Sequence, residues 1–345
     1  MAAASRSSAS PPAASPATNN PYAAGAGPYA ASPAPAYFPP AGAPRAGQLP
    51  PGTRLVVGTH HAVVERFLSE GGFAHVYVVR IDPAVRGDDI AVLKRVVVPD
   101  KESLSTLRVE VDTMKRLRGC RNIVNYIDSH ASRLPDRGYE VFVLMEFCTG
   151  GGLIDFMNTR LQNRLTEPEI LKIFGDVVEG VACMHYLQPP LLHRDLKVEN
   201  VLITTGGSYK VCDFGSSCPV IRAGNNVQEL RLIEDDIQRH TTIQYRSPEM
   251  IDVYRRLPID EKSDIWALGV FLYKLCYYIT PFEDQGQLGI LNATFSFPSH
   301  PHYSSRLRQL ISYMLRENPA DRPNVFQVLK ITCGLRDVPV PMSDI

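Results

Sequence analysis

The sequence predicts an α+β protein in two lobes: a small antiparallel β-sheet with one helix, then a larger, mainly α-helical lobe. Three observations predict it. Between about residues 60 and 147, short apolar runs alternate as strands do, with one interruption at helical spacing. Beyond Gly150 apolar residues recur at helical spacing, and "SDIWALGVFLYKLCYYI" is apolar nearly all round, as the centre of a helical domain should be. Ahead of both, Pro, Ala, Ser, Gly and Tyr dominate, with Arg6 and Arg45 the only charges before Arg54.

That leading segment cannot bury enough apolar surface to offset its ordering entropy, so residues 1–54 are expected to be a disordered tail. Its prolines suit either a plain linker or the aromatic groove of an SH3-type partner. Deleting it is expected to leave stability and activity unchanged. The folded domain is expected over 58–334, with the small lobe at 58–147, the large lobe at 148–334 and a short tail at 335–345.

Within the small lobe "AVVERFL", "HVYVVRI" and "IAVLKRVVV" read as strands. A helix follows, with Asp100 as N-cap and Leu104, Leu107, Val111 and Met114 as its apolar stripe. "NIVNYIDSHA" and "YEVFVLMEF" read as two further strands, and "PEILKIFGDVVEGVACMHYL" opens the helical lobe. A cleft between such lobes is a common place for a ligand.

Composition narrows the function. Basic and acidic residues balance at 36 each, so no global field recruits nucleic acid or an acidic membrane. Seven cysteines, odd in number and without C-x-x-C pairs, read as a reduced, intracellular protein. The N-terminus lacks the apolar core of a signal peptide. The most apolar run, "IWALGVFLYKLCYYI", is short for a membrane span and carries Lys274, so no transmembrane segment is expected.

The chemistry-bearing motifs then appear in order. "FLSEGGFAHVYVVR" sits where a phosphate-binding loop would, yet on the G-x-G-x-x-G-x-V pattern with Val76 as valine its glycine positions read Ser69, Gly71 and Ala74. Alone it would be a plain hairpin. "LLHRDLKVEN" matches H-R-D-L-x-x-x-N with His193, Arg194, Asp195, Leu196 and Asn200. At that spacing Asp195 accepts a hydroxyl proton, Lys197 neutralises a moving phosphoryl group and Asn200 offers an oxygen to Mg²⁺. "DFG" at Asp213 follows the apparent hairpin "VLITTGGSYKVC", which places its carboxylate to bridge metal and ATP phosphates. Lys94 ends "AVLK" inside a strand and on its own would snorkel at a sheet edge. Glu110 lies on the inward stripe of the helix, where a lone carboxylate is costly, so the two are expected to pair. Glu102 in the first turn is the alternative that merely complements the helix dipole. Glu249 of "SPEM" is expected to pair with Arg322 of "DRP", and Asp264 to hold the catalytic loop through backbone N–H groups.

Together these residues resemble the eukaryotic protein kinase superfamily from about residue 60 to 333. "LSEGGFAHVY", "MEFCTGG", "HRDLKVEN", "CDFGS", "YRSPEM" and "DIWALGVFLYKLCYYITPF" are closest to the Numb-associated kinase family. That family includes adaptor-associated and cyclin-G-associated kinases and the actin-regulating kinases of fungi. Its loop carries small residues where other kinases have glycine, so Ser69 and Ala74 are the family's choice, and Gly71 and Gly72 leave backbone N–H groups open to phosphate. The resemblance implies the bilobal protein kinase fold and an ATP site of Leu68, Ser69, Glu70, Gly71, Gly72, Phe73, Ala74, Val76, Lys94, Glu110, Asn200, Leu202 and Asp213. It makes Met145 the gatekeeper, and Glu146, Phe147 and Cys148 the hinge to adenine. It also implies Mg²⁺ held by Asn200 and Asp213, and catalysis by Asp195, Lys197, Lys94 and Thr242.

The implied activity is that of a non-specific serine/threonine protein kinase, threonine favoured, acting in the cytoplasm on endocytic adaptor or actin-patch proteins at cortical patches. A pseudokinase scaffold would have lost Lys94, Asp195 or Asp213, and a small-molecule kinase would lack the "SPE" and "DRP" pair. Family members usually carry a long tail after the domain that binds clathrin-coat or actin-patch proteins. This sequence reaches only "VPMSDI" beyond the domain, so recruitment through such a tail is not read from it. In "RAGNNVQELRLIEDDIQRH" no Ser or Thr stands where a phosphate would reach Arg194, whereas Glu229, Glu234, Asp235 and Asp236 offer standing negative charge. Constitutive activity is therefore expected, and the resemblance adds an extra helix around "MIDVYRRL" that braces the segment.

Overall fold

The computed structural model describes residues 47–71, 74–135 and 138–343. Residues 1–46 of the expected tail, and the loop residues Gly72 and Phe73, lie outside them. The small lobe is a six-stranded antiparallel sheet of β1 (Arg54–Val57), β2 (His60–Gly71), β3 (Ala74–Val85), β4 (Asp88–Val98), β5 (Tyr126–Arg133) and β6 (Tyr139–Glu146), in spatial order β1-β2-β3-β4-β6-β5. Strand alternation sorts its side chains. Ala91 and Leu93 of β4 are buried on the outer face with Tyr77, Val79, Phe142 and Leu144. Lys94 turns to the other face, toward α1 (Lys101–Arg116). Asp100 caps that helix by accepting the Ser103 N–H at 2.8 Å, and Leu104, Leu107, Val111 and Met114 are its buried stripe.

The folded unit begins before residue 58. Gly52 N–H donates to Val64 C=O at 2.7 Å, Val64 N–H to Thr53 C=O at 2.9 Å, and Leu49 N–H to the Tyr77 hydroxyl at 3.1 Å. Leu49 and Leu55 pack on the outer-face cluster, so this short run belongs to the domain although its composition resembles the tail. The β1–β2 turn needs glycine: Gly58 has φ +60°, and a Cβ there would stand 2.2 Å from the carboxylate of Asp128. That carboxylate accepts the Thr59 N–H at 2.8 Å and anchors the hairpin to β5. Deleting residues 1–54 is therefore expected to lower the melting temperature relative to deleting 1–46, by roughly 2–4 °C for each kcal/mol lost. Equal melting temperatures in scanning calorimetry would show that residues 47–54 contribute nothing.

β5 starts four residues later than its apolar pattern predicts. Val124 N–H donates to Val211 C=O at 3.0 Å and Val211 N–H to Asn122 C=O at 2.9 Å, so this backbone is committed to the large lobe instead. The large lobe runs through β7 (Gly151–Gly152), α2 (Leu153–Thr159), α3 (Glu167–His185), β8 (Leu191–Leu192), β9 (Val201–Ile203), β10 (Tyr209–Val211) and β11 (Cys218–Pro219). There follow α4 (Val227–His240), α5 (Pro248–Ile251), α6 (Glu261–Tyr277), α7 (Gly286–Leu291), α8 (Ser305–Met314) and α9 (Val325–Arg336). α6 is the centre: from Ser263 to Tyr277 every residue except Lys274 is buried, and α3 and α8 pack against it. α9 extends past residue 334, Val338 N–H donates to Cys333 C=O at 3.1 Å, and Val340 and Met342 pack on the core, so the expected tail at 335–345 is partly built into the lobe. No helix among the described residues is long and apolar enough to cross a membrane.

Candidate active site

The catalytic loop lies between β8 and a 3₁₀ turn at Val198–Asn200, and α6 fixes its backbone. Asp264, 1% exposed in the first turn of α6, accepts His193 N–H at 2.8 Å and Arg194 N–H at 2.9 Å, and meets His185 Nε2 at 2.9 Å. Burial pushes this carboxyl up, but the hydrogen bond and charge of His185, with the His193 N–H, outweigh it and hold it below the usual carboxylate range. The clamp also holds Arg194 at φ +67°, a left-handed conformation sparsely used by side-chain-bearing residues. His185 was not among the residues singled out from sequence; it lies 79 positions from its partner, and no local signal marks it.

Four side chains converge on the loop. The Thr242 hydroxyl donates to Asp195 Oδ1 at 2.6 Å and accepts from Lys197 Nζ at 2.9 Å. Lys197 Nζ also lies 2.7 Å from Asp195 Oδ2, and Asn200 Nδ2 donates to the Asp195 carbonyl at 2.8 Å. Asp195 is thus oriented from three sides, with Lys197 beside it as a fixed positive charge. Asp213 follows β10 at φ +62°, a second strained position, with Phe214 buried behind it.

On the small-lobe side Lys94 Nζ donates to Glu110 Oε1 at 2.6 Å. Burial pulls the lysine down, yet the charge and hydrogen bond of Glu110, with Asp213 beyond, hold it above its ordinary value. A cleft of 440 Å³ opens between the lobes, lined by Leu68, Ser69, Val76, Met145, Phe147, Cys148 and Leu202 with Lys94, Glu110 and Asp213. Val92, Met114 and Asp155 line it as well. Val92 was legible, since it precedes Lys94 by two residues on one face of β4. Glu70, Gly71 and Ala74 form the hairpin tip, Gly71 opposite Ala74, outside the lining. Glu146 lines the cleft, but its side chain ties the lobes together: it meets Lys210 Nζ at 2.5 Å and accepts from Asn125 Nδ2 at 2.9 Å. Burial pushes the Cys148 thiol up to about 12, so it packs as a small hydrophobe.

The segment after Asp213 carries a helix that no expectation assigned. α4 is capped by Asn226, which accepts the Glu229 N–H at 2.9 Å, while Glu229 is committed to Asn225 and Asn226. One turn before its end Asp236 pairs with Arg194, whose Nε donates to Ser216 C=O at 2.6 Å. Downstream, α5 and a 3₁₀ turn at Val253–Arg255 occupy the stretch "MIDVYRRL". Arg322 donates to Glu249 at 2.7 and 2.8 Å, and its remaining donors reach the carbonyls of Lys262, Arg316 and Glu317. Every N–H of this buried guanidinium is used.

Among the described residues no group of three or more His, Cys, Asp or Glu stands ready to hold a metal alone. Asn200 and Asp213 offer oxygen donors, the chemistry of a hard cation that completes its shell with water and phosphate, and so fit Mg²⁺ with ATP.

The chain matches the family profile "Protein kinase domain" over residues 62–332. It is similar to "Actin-regulating kinase PRK1" of Saccharomyces cerevisiae, 59% identical over 304 residues, which are 87% of this chain and 38% of that relative. "Actin-regulating kinase 1" of the same yeast is 57% identical over 306 residues, 88% of this chain and 48% of the relative. "Serine/threonine-protein kinase ppk30" of Schizosaccharomyces pombe is 54% identical over 300 residues, 86% of this chain and 31% of the relative. The chain therefore spans less than half the length of each. The bilobal fold, the cleft between its lobes and these matches agree: the chain belongs to the protein kinase family, in its Numb-associated branch with the actin-regulating kinases.

Proposed function

We propose that the chain transfers the γ-phosphoryl group of ATP to serine or threonine of proteins, threonine favoured, with Mg²⁺. The observation that carries this reading is the Asp195–Thr242–Lys197 constellation at the foot of the cleft. Asp195 accepts the substrate hydroxyl's proton, and Lys197 stabilises negative charge on the phosphoryl oxygens. Lys94, aimed by Glu110, holds the phosphates. Asn200 and Asp213 would hold Mg²⁺, which would neutralise charge on the phosphates. Leu68, Ser69 and Val76 of the hairpin cover the nucleotide, Met145 to Cys148 bound the adenine, and Leu202 floors it. The names of two relatives, both actin-regulating kinases, support actin-related substrates, and the family resemblance adds endocytic adaptor or actin-patch proteins and a cytoplasmic site of action at cortical patches.

Purified chain with labelled ATP and Mg²⁺ is expected to phosphorylate threonine peptides faster than serine ones. ATP binding without transfer would instead identify a scaffold. Phosphoproteomes of cells carrying wild type or Asp195→Asn test the substrate class, and unchanged actin-patch and endocytic phosphosites would overturn it. Thr242→Val removes the hydroxyl between Asp195 and Lys197, a bond worth about 1–1.5 kcal/mol, so kcat is expected to fall roughly tenfold. Thr242→Ser keeps the hydroxyl and is expected to keep most of the rate; equal rates for both variants would remove Thr242 from the site.

A further inference from the structure

Lys274 breaks the pattern of α6. Every other residue from Ser263 to Tyr277 is buried, and this one sends its side chain out of the core to the catalytic loop. Its Nζ lies 3.1 Å from Glu199 Oε1 and 5.8 Å from the centroid of the Tyr245 ring. Glu199 stands four positions after Asp195 and one before Asn200, and it lines the cleft between the lobes. Tyr245 stands three positions after Thr242, whose hydroxyl touches Asp195. The ion pair therefore sits beside the place of the acceptor hydroxyl, where α6, the catalytic loop and the segment before Glu249 join.

Negative charge gathers at this join. Burial pushes the Tyr245 hydroxyl up, and the charges of Glu199, Asp195 and Glu283 push it further. Asp195 is engaged by Lys197 and Thr242, and Glu283 by the Thr280 N–H and hydroxyl at 2.8 and 3.1 Å. Glu199 is 40% exposed in its side chain, and among the described residues only Lys274, 19% exposed, pairs with it.

We infer that Lys274 sets substrate choice: its charge cancels that of Glu199, so the subsite beside the acceptor takes an uncharged residue and discriminates against a basic one. Given the transfer to protein hydroxyls proposed above, a bare carboxylate at the mouth of the cleft would be a ready partner for a substrate arginine. With Lys274 in place, an incoming guanidinium meets a like charge and must displace an ion pair already formed. A purely structural lysine is the alternative, because in the last turn of α6 its charge also complements the helix C-terminus. That role predicts an equal loss on every substrate. Neutralisation of Glu199 predicts a gain on one kind.

The test compares wild type with Lys274→Met on threonine peptides of neutral sequence, each carrying a single arginine at one of the three positions on either side of the acceptor. A peptide advances about 3.3–3.6 Å per residue, so these positions span the surroundings of Asp195 that Glu199 can reach. Wild type is expected to use no arginine peptide better than the neutral parent. Lys274→Met is expected to keep its rate on the parent and to gain roughly fivefold in kcat/KM with arginine at one position, as suits a pair partly open to solvent. Lys274→Arg keeps the charge and is expected to show no gain, and adding Glu199→Gln to Lys274→Met is expected to remove it. Peptide affinities from fluorescence anisotropy should follow the same order; they need no turnover, so this inference and the proposed activity fail separately. Wild type favouring an arginine peptide, a Lys274→Met variant that gains nothing or weakens alike on all peptides, or a gain that survives Glu199→Gln would overturn the inference.

Discussion

Asp195→Asn is expected to lose phosphoryl transfer by on the order of hundreds-fold or more while still binding ATP, because charge terms of this kind contribute roughly 3–4 kcal/mol to the transition state. The substitution preserves shape. The Thr242 hydroxyl and Lys197 sit 2.6 and 2.7 Å from different oxygens of the carboxylate; the single amide oxygen can keep Lys197, while the NH2 group takes the other place and can donate to the Thr242 hydroxyl. An amide is too weak a base to take a hydroxyl proton, and it removes the charge that Lys197 balances. The Lys94–Glu110 pair and the cleft wall are untouched, so nucleotide affinity is expected to persist. Asp213→Asn separates the roles: it removes a charged oxygen ligand from the metal, so Mg²⁺-dependent ATP binding is expected to fall along with transfer. A radiometric peptide assay beside calorimetric titration of ATP distinguishes the two variants. Near-normal transfer by Asp195→Asn would remove it from the role of base.

What the chain discloses without its fold follows from how far apart the cooperating residues lie. Asp195, Lys197 and Asn200 act within six positions, so their spacing alone exposes the chemistry. Lys94 and Glu110 are 16 positions apart, yet each breaks a periodic pattern, a lysine inside a strand and an acid on an apolar stripe. Asp264 is legible for the same reason, as an acid opening an otherwise apolar helix. β1 is not: four residues are too few for alternation to stand out beside a proline-rich run. α4 carried its own signals, Asn226 three positions before Glu229 and Leu230 and Ile237 on one face, but four carboxylates in the same stretch read first as charge. Sequence also puts Glu146 in the hinge, while only the fold shows its side chain turned to Lys210 from another strand.

The same limit decides which carboxylate governs Arg194, and the consequence is large. Arg194 is 4% exposed in its side chain, so an unpaired guanidinium there would be costly, and Asp236, 38% exposed, supplies its countercharge. Asp236 is itself steadied by His240 Nδ1 at 2.9 Å. A charge fixed in the chain thus pairs with Arg194, a role that a phosphate plays in switchable kinases, and the segment between Asp213 and Glu249 is expected to be ordered without modification. Asp236→Ala is expected to lower kcat/KM by on the order of ten- to a hundred-fold, from a charged hydrogen bond worth roughly 1.5–3 kcal/mol. Asp236→Glu should recover much of that loss, because it restores the charge one methylene further out. The loss belongs to the ordering of the segment, so proteolysis between residues 216 and 240 is expected to quicken in Asp236→Ala while ATP affinity holds. Wild-type protein stripped of phosphate should phosphorylate threonine peptides from the first time point. A lag that disappears after preincubation with ATP, or an Asp236→Ala variant as active as wild type, would show that Arg194 takes its activating charge from elsewhere.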